Sequence, residues 1–414
     1  MLKIAGKHAQ GKSFVEKIYA ANAAAVADAA KVGSENVINS TLGAIYDENE
    51  KLVCLPTVEK AFKELQIGDV CSYAPILGLG EYSEFVKKAA FGNYCPKGKM
   101  AVIATAGGVG AIHNSIWNYM DIGDTALVAD WFWINYDIIC KDMKRNLATY
   151  KMFDEKRNFN HAALETKVKE LLSKQERLLY ILNNPGHNPT GYSLTEEEFK
   201  GVVDILNRQS KAFNKPITFV LDIAYIDFAG EKDEVRKFFK YLDGLSENIL
   251  TIVCYSMSKA FTLYGQRAGA MIGISSNEEI IKEFIEINRY TCRATWSSVS
   301  RAAMKTMINI STNQELLHQI EAERKYYLDM IKKRADLFMT EAQECGLPFI
   351  PYIAGFFISI PAKDSQAVCE ELKKVHVYCV ALTAGVRVAL CGVSLKKIKG
   401  LAQKIMLAMK AVGE

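Results

Sequence analysis

Ile249-Leu250-Thr251-Ile252-Val253-Cys254-Tyr255 runs directly into Ser256-Met257-Ser258-Lys259-Ala260-Phe261-Thr262-Leu263-Tyr264-Gly265-Gln266-Arg267-Ala268-Gly269. The first seven residues are apolar or β-favouring without a break, the pattern of a buried strand. Lys259 then stands just past a strand end, where open α/β sheets bind ligands. A lysine amine condenses with an aldehyde. A serine hydroxyl and an arginine fork hold a phosphate, which makes Ser256 and Arg267 phosphate-ligand candidates. Aldehyde and phosphate together describe pyridoxal 5′-phosphate (PLP), whose enzymes carry a lysine Schiff base. The same residues also suit a solvated loop lysine beside a structural arginine, and this stretch alone leaves both readings open.

Upstream of the junction the chain alternates. Runs at 101–105, 125–129, 178–182 and 217–221 read as strands, separated by helical patterns. Units of about 25 to 40 residues of this kind predict an α/β fold with a mostly parallel, doubly wound sheet. Chemistry-bearing residues follow each strand. Gly107-Gly108-Val109-Gly110 opens a helix and offers backbone N–H groups to a phosphate, or serves only close packing. Asp130-Trp131-Phe132-Trp133-Ile134-Asn135-Tyr136 carries aromatics that suit either a core or stacking on a flat ring. Asn183-Asn184-Pro185-Gly186-His187-Asn188-Pro189-Thr190-Gly191 is a stiff polar loop. Asp222 ends the 217–221 strand, and Tyr225 follows three residues later.

The flanks differ. Residues 12–31 read as an alanine-rich helix, 37–44 as extended, and 56–65 as a helix with Pro56 in its first turn. The loop Ser72-Tyr73-Ala74-Pro75-Ile76-Leu77-Gly78-Leu79-Gly80 leads into a helix at 81–91. After residue 274 helical periodicity dominates to about 342. A strand at 355–360, a short helix, a strand at 386–390 and a final helix then make a compact α+β tail. The expected division is an N-terminal segment, 1–50, joining the small domain; a large domain, 51–320; and a small α+β domain, 321–414.

Composition narrows the function classes. The 414 residues carry 51 Lys and Arg against 47 Asp and Glu, a net charge of +4. That balance argues against nucleic acid or an anionic membrane as partner. The ten cysteines show no CxxC pair and no zinc-ligand spacing. No metal is expected. With no secretory pattern or membrane-length apolar run, a cytoplasmic protein with reduced thiols is expected.

The lysine stretch, His187-Asn188-Pro189-Thr190-Gly191, Asp222-Ile223-Ala224-Tyr225 and Trp133-Ile134-Asn135-Tyr136 together resemble the class I PLP-dependent aminotransferases. The aspartate and aromatic amino acid branch is the nearest, and the likeness runs in order from Gly43 to Arg387. It implies the type I PLP-dependent transferase fold. It implies amino transfer between an amino acid, with aspartate, glutamate or an aromatic favoured, and a 2-oxo acid such as 2-oxoglutarate. By resemblance Lys259 is the covalent anchor and proton carrier, Asp222 the partner of the pyridinium nitrogen, and Tyr225 and Asn188 the partners of the ring oxygen. Trp133 stacks on the ring. Ser256, Arg267 and the backbone of Gly108 and Val109 hold the phosphate. Arg387 and the Gly43 backbone bind the substrate α-carboxylate, with Asn188 and Trp133 lining that side. Tyr73 reaches the phosphate of a partner subunit, which implies a homodimer, and Arg293 reads a distal carboxylate.

There are departures. Gly107 and Val109 stand where hydroxyl residues are common in the family, Tyr136 where the nearest branch commonly has histidine. Arg293-Ala294-Thr295-Trp296-Ser297-Ser298-Val299-Ser300 lacks the prolines of that branch's substrate motif. Two other classes use the same scaffold: a PLP-dependent carbon–sulfur lyase, which needs the same residues, and a non-catalytic regulatory protein. The latter usually carries an attached DNA-binding module, for which this chain has no spare length.

Overall fold

The computed structural model describes residues 4–13 and 17–414. Twelve strands occur among them. In chain order they are β1 (Ile38–Asn39), β2 (Lys99–Thr105), β3 (Thr125–Ala129), β4 (Asn146–Tyr150), β5 (Leu178–Asn183) and β6 (Ile217–Asp222). The rest are β7 (Ile249–Ser256), β8 (Gly269–Ser275), β9 (Phe357–Pro361), β10 (Val377–Tyr378), β11 (Val380–Leu382) and β12 (Gly385–Ala389). Seven form the central sheet in the order β2-β8-β7-β6-β5-β3-β4. Six run the same way; β8 alone is antiparallel to both neighbours.

Every residue of β5, β6, β7 and β8 is buried. Strands covered by helices on both faces read as unbroken apolar runs, which is why β5, β6 and β7 were recognisable. The helix Glu196–Phe213 owes its start to a capping box. Thr195 Oγ1 accepts from the Glu198 N–H at 3.1 Å, and Glu198 Oε2 accepts from the Thr195 N–H at 2.9 Å.

The register brings the functional ends of the strands to one edge. Asn183 lies opposite Asp222, Asp222 opposite Cys254, and Ser256 opposite Gly269. Thr105 pairs with the same Gly269. This edge carries the loops after β2, β3, β5, β6 and β7, the place where parallel sheets present ligands.

The C-terminal part is a three-stranded antiparallel sheet, β11-β12-β9, packed against helices. β1 pairs in parallel with β10, so the N-terminal segment lies beside this part. One helix, Gln314–Cys345, serves both cores. Its Ile320, Met330 and Ile331 belong to the large core and Ala335, Phe338 and Ala342 to the smaller one. Buried Arg334 on this helix bonds Tyr46 O at 2.9 Å, Cys391 O at 3.0 Å and Glu48 Oε1 at 2.7 Å. One side chain thereby fastens the N-terminal segment to the chain after β12.

Three local expectations are corrected. The first described helix begins at Lys17, not near residue 12; residues 7–11 form turns, and residues 14–16 lie outside the described ones. The helix expected near residues 234–241 is a 3₁₀ helix, Glu234–Leu242. Lys259 sits in a one-turn helix, Met257–Ala260, and Ser256 is the last residue of β7 rather than the start of a loop. Strand pairing with Gly269 holds Ser256 in the sheet.

Candidate active site

Lys259 leaves the end of β7 on that single helical turn and is partly buried. Its Nζ donates to Gly43 O, a residue 216 positions away. The amine lies 4.9 Å from the Tyr264 ring centre, 5.6 Å from Phe356 and 5.8 Å from Tyr225. Burial among these rings lowers its pKa to about 8, and the positive charges of Arg387 and Arg267 act in the same direction. An amine so placed has a substantial neutral fraction near neutrality, which a nucleophile or base requires.

Asp222 closes β6 and is buried. Its Oδ2 accepts from the Tyr136 hydroxyl at 2.7 Å and its Oδ1 from the Ala224 N–H at 3.1 Å. Burial raises its pKa, and these two donors oppose the shift. The loop after β5 is laced to the same strand. Asn183 Nδ2 donates to Asp222 O at 2.8 Å, and Asn183 Oδ1 accepts from the Asn188 N–H at 2.7 Å. Asn188 is thereby aimed at two partners. Its Nδ2 donates to the Tyr225 hydroxyl at 3.4 Å, and its Oδ1 accepts from Arg387 Nη1 at 3.3 Å. Within this loop His187 Nδ1 lies 2.8 Å from Thr190 Oγ1, and burial pushes its pKa down to about 3. A neutral imidazole here holds the loop shape.

Arg387 is buried on β12, 4.3 Å from the Phe357 ring centre. Its Nη2 donates to Thr41 O at 2.7 Å. Gly43 lies two residues further on, and a side chain there would strike the Phe357 ring at 2.5 Å. A cavity of about 420 Å³ opens beside Arg387 and Asn188, lined also by Trp133, Ile138, Leu382 and Ile18. Half-buried Trp133 meets Tyr136 edge to face, with ring centres 5.5 Å apart.

The remaining cluster suits an anion. The helix Gly107–Tyr119 starts at Ala106 with no side-chain cap, so its first N–H groups are available to a ligand. Gly107 has φ +71°, and a Cβ there would lie 3.0 Å from Arg267 Nη2. Gly108 faces Ser256, whose Cβ would be 3.4 Å from an added methyl. Arg267 holds its guanidinium by donating to Ser258 Oγ at 3.2 Å and Tyr264 O at 2.8 Å. Uncapped N–H groups, an arginine and a serine at one sheet edge fit a phosphate. The buried Asp222 and the low-pKa Lys259 fit a pyridinium and an aldehyde.

The structure thus brings Lys259, Asp222, Tyr225, Asn188, Trp133, Ser256, Arg267, Gly108, Val109, Gly43 and Arg387 to one edge of the sheet. Tyr73 is 91 % exposed and stands apart from them. Arg293, in the last turn of the helix Glu278–Thr295, is exposed, donates to Ser297 Oγ at 2.5 Å and does not line the cavity. Sequence reasoning gave no role to Ser258, Thr41 or Tyr264. Only for Ser258 was there a local signal, a hydroxyl residue beside Lys259 on the same turn. Among the described residues no helix is long and apolar enough to cross a membrane.

Comparison with known proteins agrees with this geometry. The chain is 36% identical to a crystallised aminotransferase from Anaerococcus prevotii, with a TM-score of 0.96 over 99% of this chain and 100% of that one. It is 25% identical over 382 residues to a cytoplasmic aspartate aminotransferase of Dictyostelium discoideum, covering 90% of this chain and 84% of that protein. An aromatic-amino-acid aminotransferase from Burkholderia pseudomallei, covalently bound to pyridoxal phosphate, shares the fold. Its TM-score is 0.79 at 20% identity, over 98% of this chain and 100% of that one. The family described as aminotransferase class I and II matches residues 35–405. The chain belongs to that family: it is a PLP-dependent aminotransferase with the type I fold.

Proposed function

We propose that the enzyme moves an amino group between aspartate, glutamate or an aromatic amino acid and 2-oxoglutarate. It would act as a cytoplasmic homodimer, with a large domain at 51–320 and a small domain at 321–414 joined by the N-terminal segment. The observation that carries the reading is Arg387. This buried guanidinium, steadied by Thr41 O and Asn188, faces a cavity rimmed by Trp133. A fork of this kind pairs bidentately with an α-carboxylate.

When bound, PLP supplies an aldehyde that takes up an amine and a conjugated ring that accepts the electron pair released at the substrate Cα. The chain supplies the rest. Lys259 would anchor the cofactor and, once freed by the incoming amine, its Nζ would serve as the base that takes the proton from the substrate Cα. Asp222 would pair with the ring nitrogen and favour its protonated form. Tyr225 and Asn188 would hold the ring oxygen, and Trp133 would stack on the ring. Ser256, Arg267 and the Gly108 and Val109 backbone would hold the phosphate. Arg387, with the Gly43 backbone near it, would bind and orient the substrate α-carboxylate.

Two residues have their role in the partner's site. Tyr73 would reach the partner's phosphate, and Arg293 would bind a distal carboxylate there; both are exposed on the single chain. The test is kcat/KM for aspartate, glutamate, phenylalanine and alanine with 2-oxoglutarate, in wild type and Arg293→Leu. Loss of a charge-assisted pair is expected to cost the two dicarboxylates roughly 10- to 100-fold more than alanine. An equal change across all four donors would remove Arg293 from side-chain recognition. Release of the amino group as free ammonia, with none transferred to 2-oxoglutarate, would overturn the amino-transfer assignment.

A further inference from the structure

We propose that Tyr136 is a positioning residue of the PLP site: its hydroxyl holds the Asp222 carboxylate while its ring braces Trp133. The inference rests on the reading above, in which Asp222 and Trp133 contact the cofactor ring. Tyr136 is fully enclosed, in the first turn of the helix Asn135–Asp142. Its O–H donates to Asp222 Oδ2 at 2.7 Å, across 86 positions of sequence. Its ring meets Trp133 at 5.5 Å with an interplanar angle of 86°. One side chain therefore sets the carboxylate and the aromatic relative to each other.

The arrangement leaves Asp222 with acceptor capacity to spare. A carboxylate offers about four lone-pair sites. Here Tyr136 takes one on Oδ2 and the Ala224 N–H takes one on Oδ1. A further donor, such as a ring N–H, still finds a partner. Donation also persists with pH. The titratable groups facing Asp222 are Tyr136, Tyr225 on the following loop and Cys254 on β7. Burial pushes all three upward, so they stay neutral. A phenol at this position keeps its charge constant across the range in which an imidazole would titrate.

Tyr136→Phe separates the two contacts, because it keeps the ring beside Trp133 and removes the hydroxyl. The measurement is the dissociation constant of PLP from the reconstituted enzyme, together with the visible circular dichroism of the bound cofactor. These are read in a double-mutant cycle with Asp222→Asn. Tyr136→Phe is expected to weaken PLP binding about tenfold in the wild-type background, as for one hydrogen bond to a charged group. In the Asp222→Asn background the same change is expected to add less than about twofold. Tyr136→His restores a ring N–H donor and should recover most of the loss; it is also the arm to read if Tyr136→Phe folds poorly. An equal loss in both backgrounds would mean that Tyr136 acts only as core packing, and the proposal falls. Wild-type affinity and dichroism in Tyr136→Phe overturn it as well. If Asp222→Asn by itself left both signals unchanged, the underlying assignment of Asp222 would fail, a result separate from the brace.

Discussion

Lys259→Ala is expected to lower kcat by at least about 10³- to 10⁴-fold, the upper range for a positioned acid–base group. On the proposed roles, the substitution removes both the cofactor's anchor and the group that carries the proton. No neighbour replaces it. Tyr225 and Tyr264 line the same space, but burial pushes both phenols upward, which leaves them poor proton acceptors. The environment of Lys259 makes a second, independent prediction. Its amine is pushed down to about 8 by burial, aided by the Arg387 and Arg267 charges. Capture of PLP by the apo-enzyme follows the neutral amine. The capture rate should therefore rise about tenfold per pH unit below pH 8 and level off above it. A lysine at its ordinary value near 10.4 would keep accelerating through pH 10. Borohydride reduction and peptide mapping identify the anchor directly. A label on any other lysine would discard the assignment, and a capture rate still climbing at pH 10 would discard the role of burial.

Asp222→Asn carries the second large effect. The side chain keeps its size, so the cofactor is expected still to bind, but the charge proposed to oppose a protonated ring nitrogen is gone. Turnover is expected to fall on the order of 10²-fold or more, as for removal of a preorganised electrostatic contact. The loss should lie in kcat, since Asp222 does not line the cavity beside Arg387. Substitution also leaves Tyr136 facing an amide in place of a carboxylate at 2.7 Å. Turnover within a few-fold of wild type would refute the electron-sink role. A large fall in KM affinity with kcat unchanged would assign Asp222 to substrate binding instead.

Much of the central sheet was legible locally. β5, β6 and β7 are buried on both faces, so their sequences are largely apolar runs that need no knowledge of their partners. Asp222 and Lys259 could be singled out because each stands at the end of such a run. The three-dimensional arrangement around them was another matter. Tyr136 drew notice only as an unusual residue in an aromatic loop, and nothing local linked it to Asp222.

Local pattern determined the alternation of strands and helices, the strand-end placement of Asp222 and Lys259, and the glycine turn at Gly107. Each depends on neighbours a few residues away: burial period, chain reversal, helix start. Tertiary structure alone decided that β8 enters antiparallel between β2 and β7, because an apolar run does not state its direction or its partner. It alone joined β1 to β10, Arg387 to Thr41 and Lys259 to Gly43, contacts spanning two hundred residues or more. Such pairings follow from the packing of whole layers and the register of the sheet. The site is accordingly readable as a set of residues from the chain, while the geometry that makes it reactive belongs to the fold.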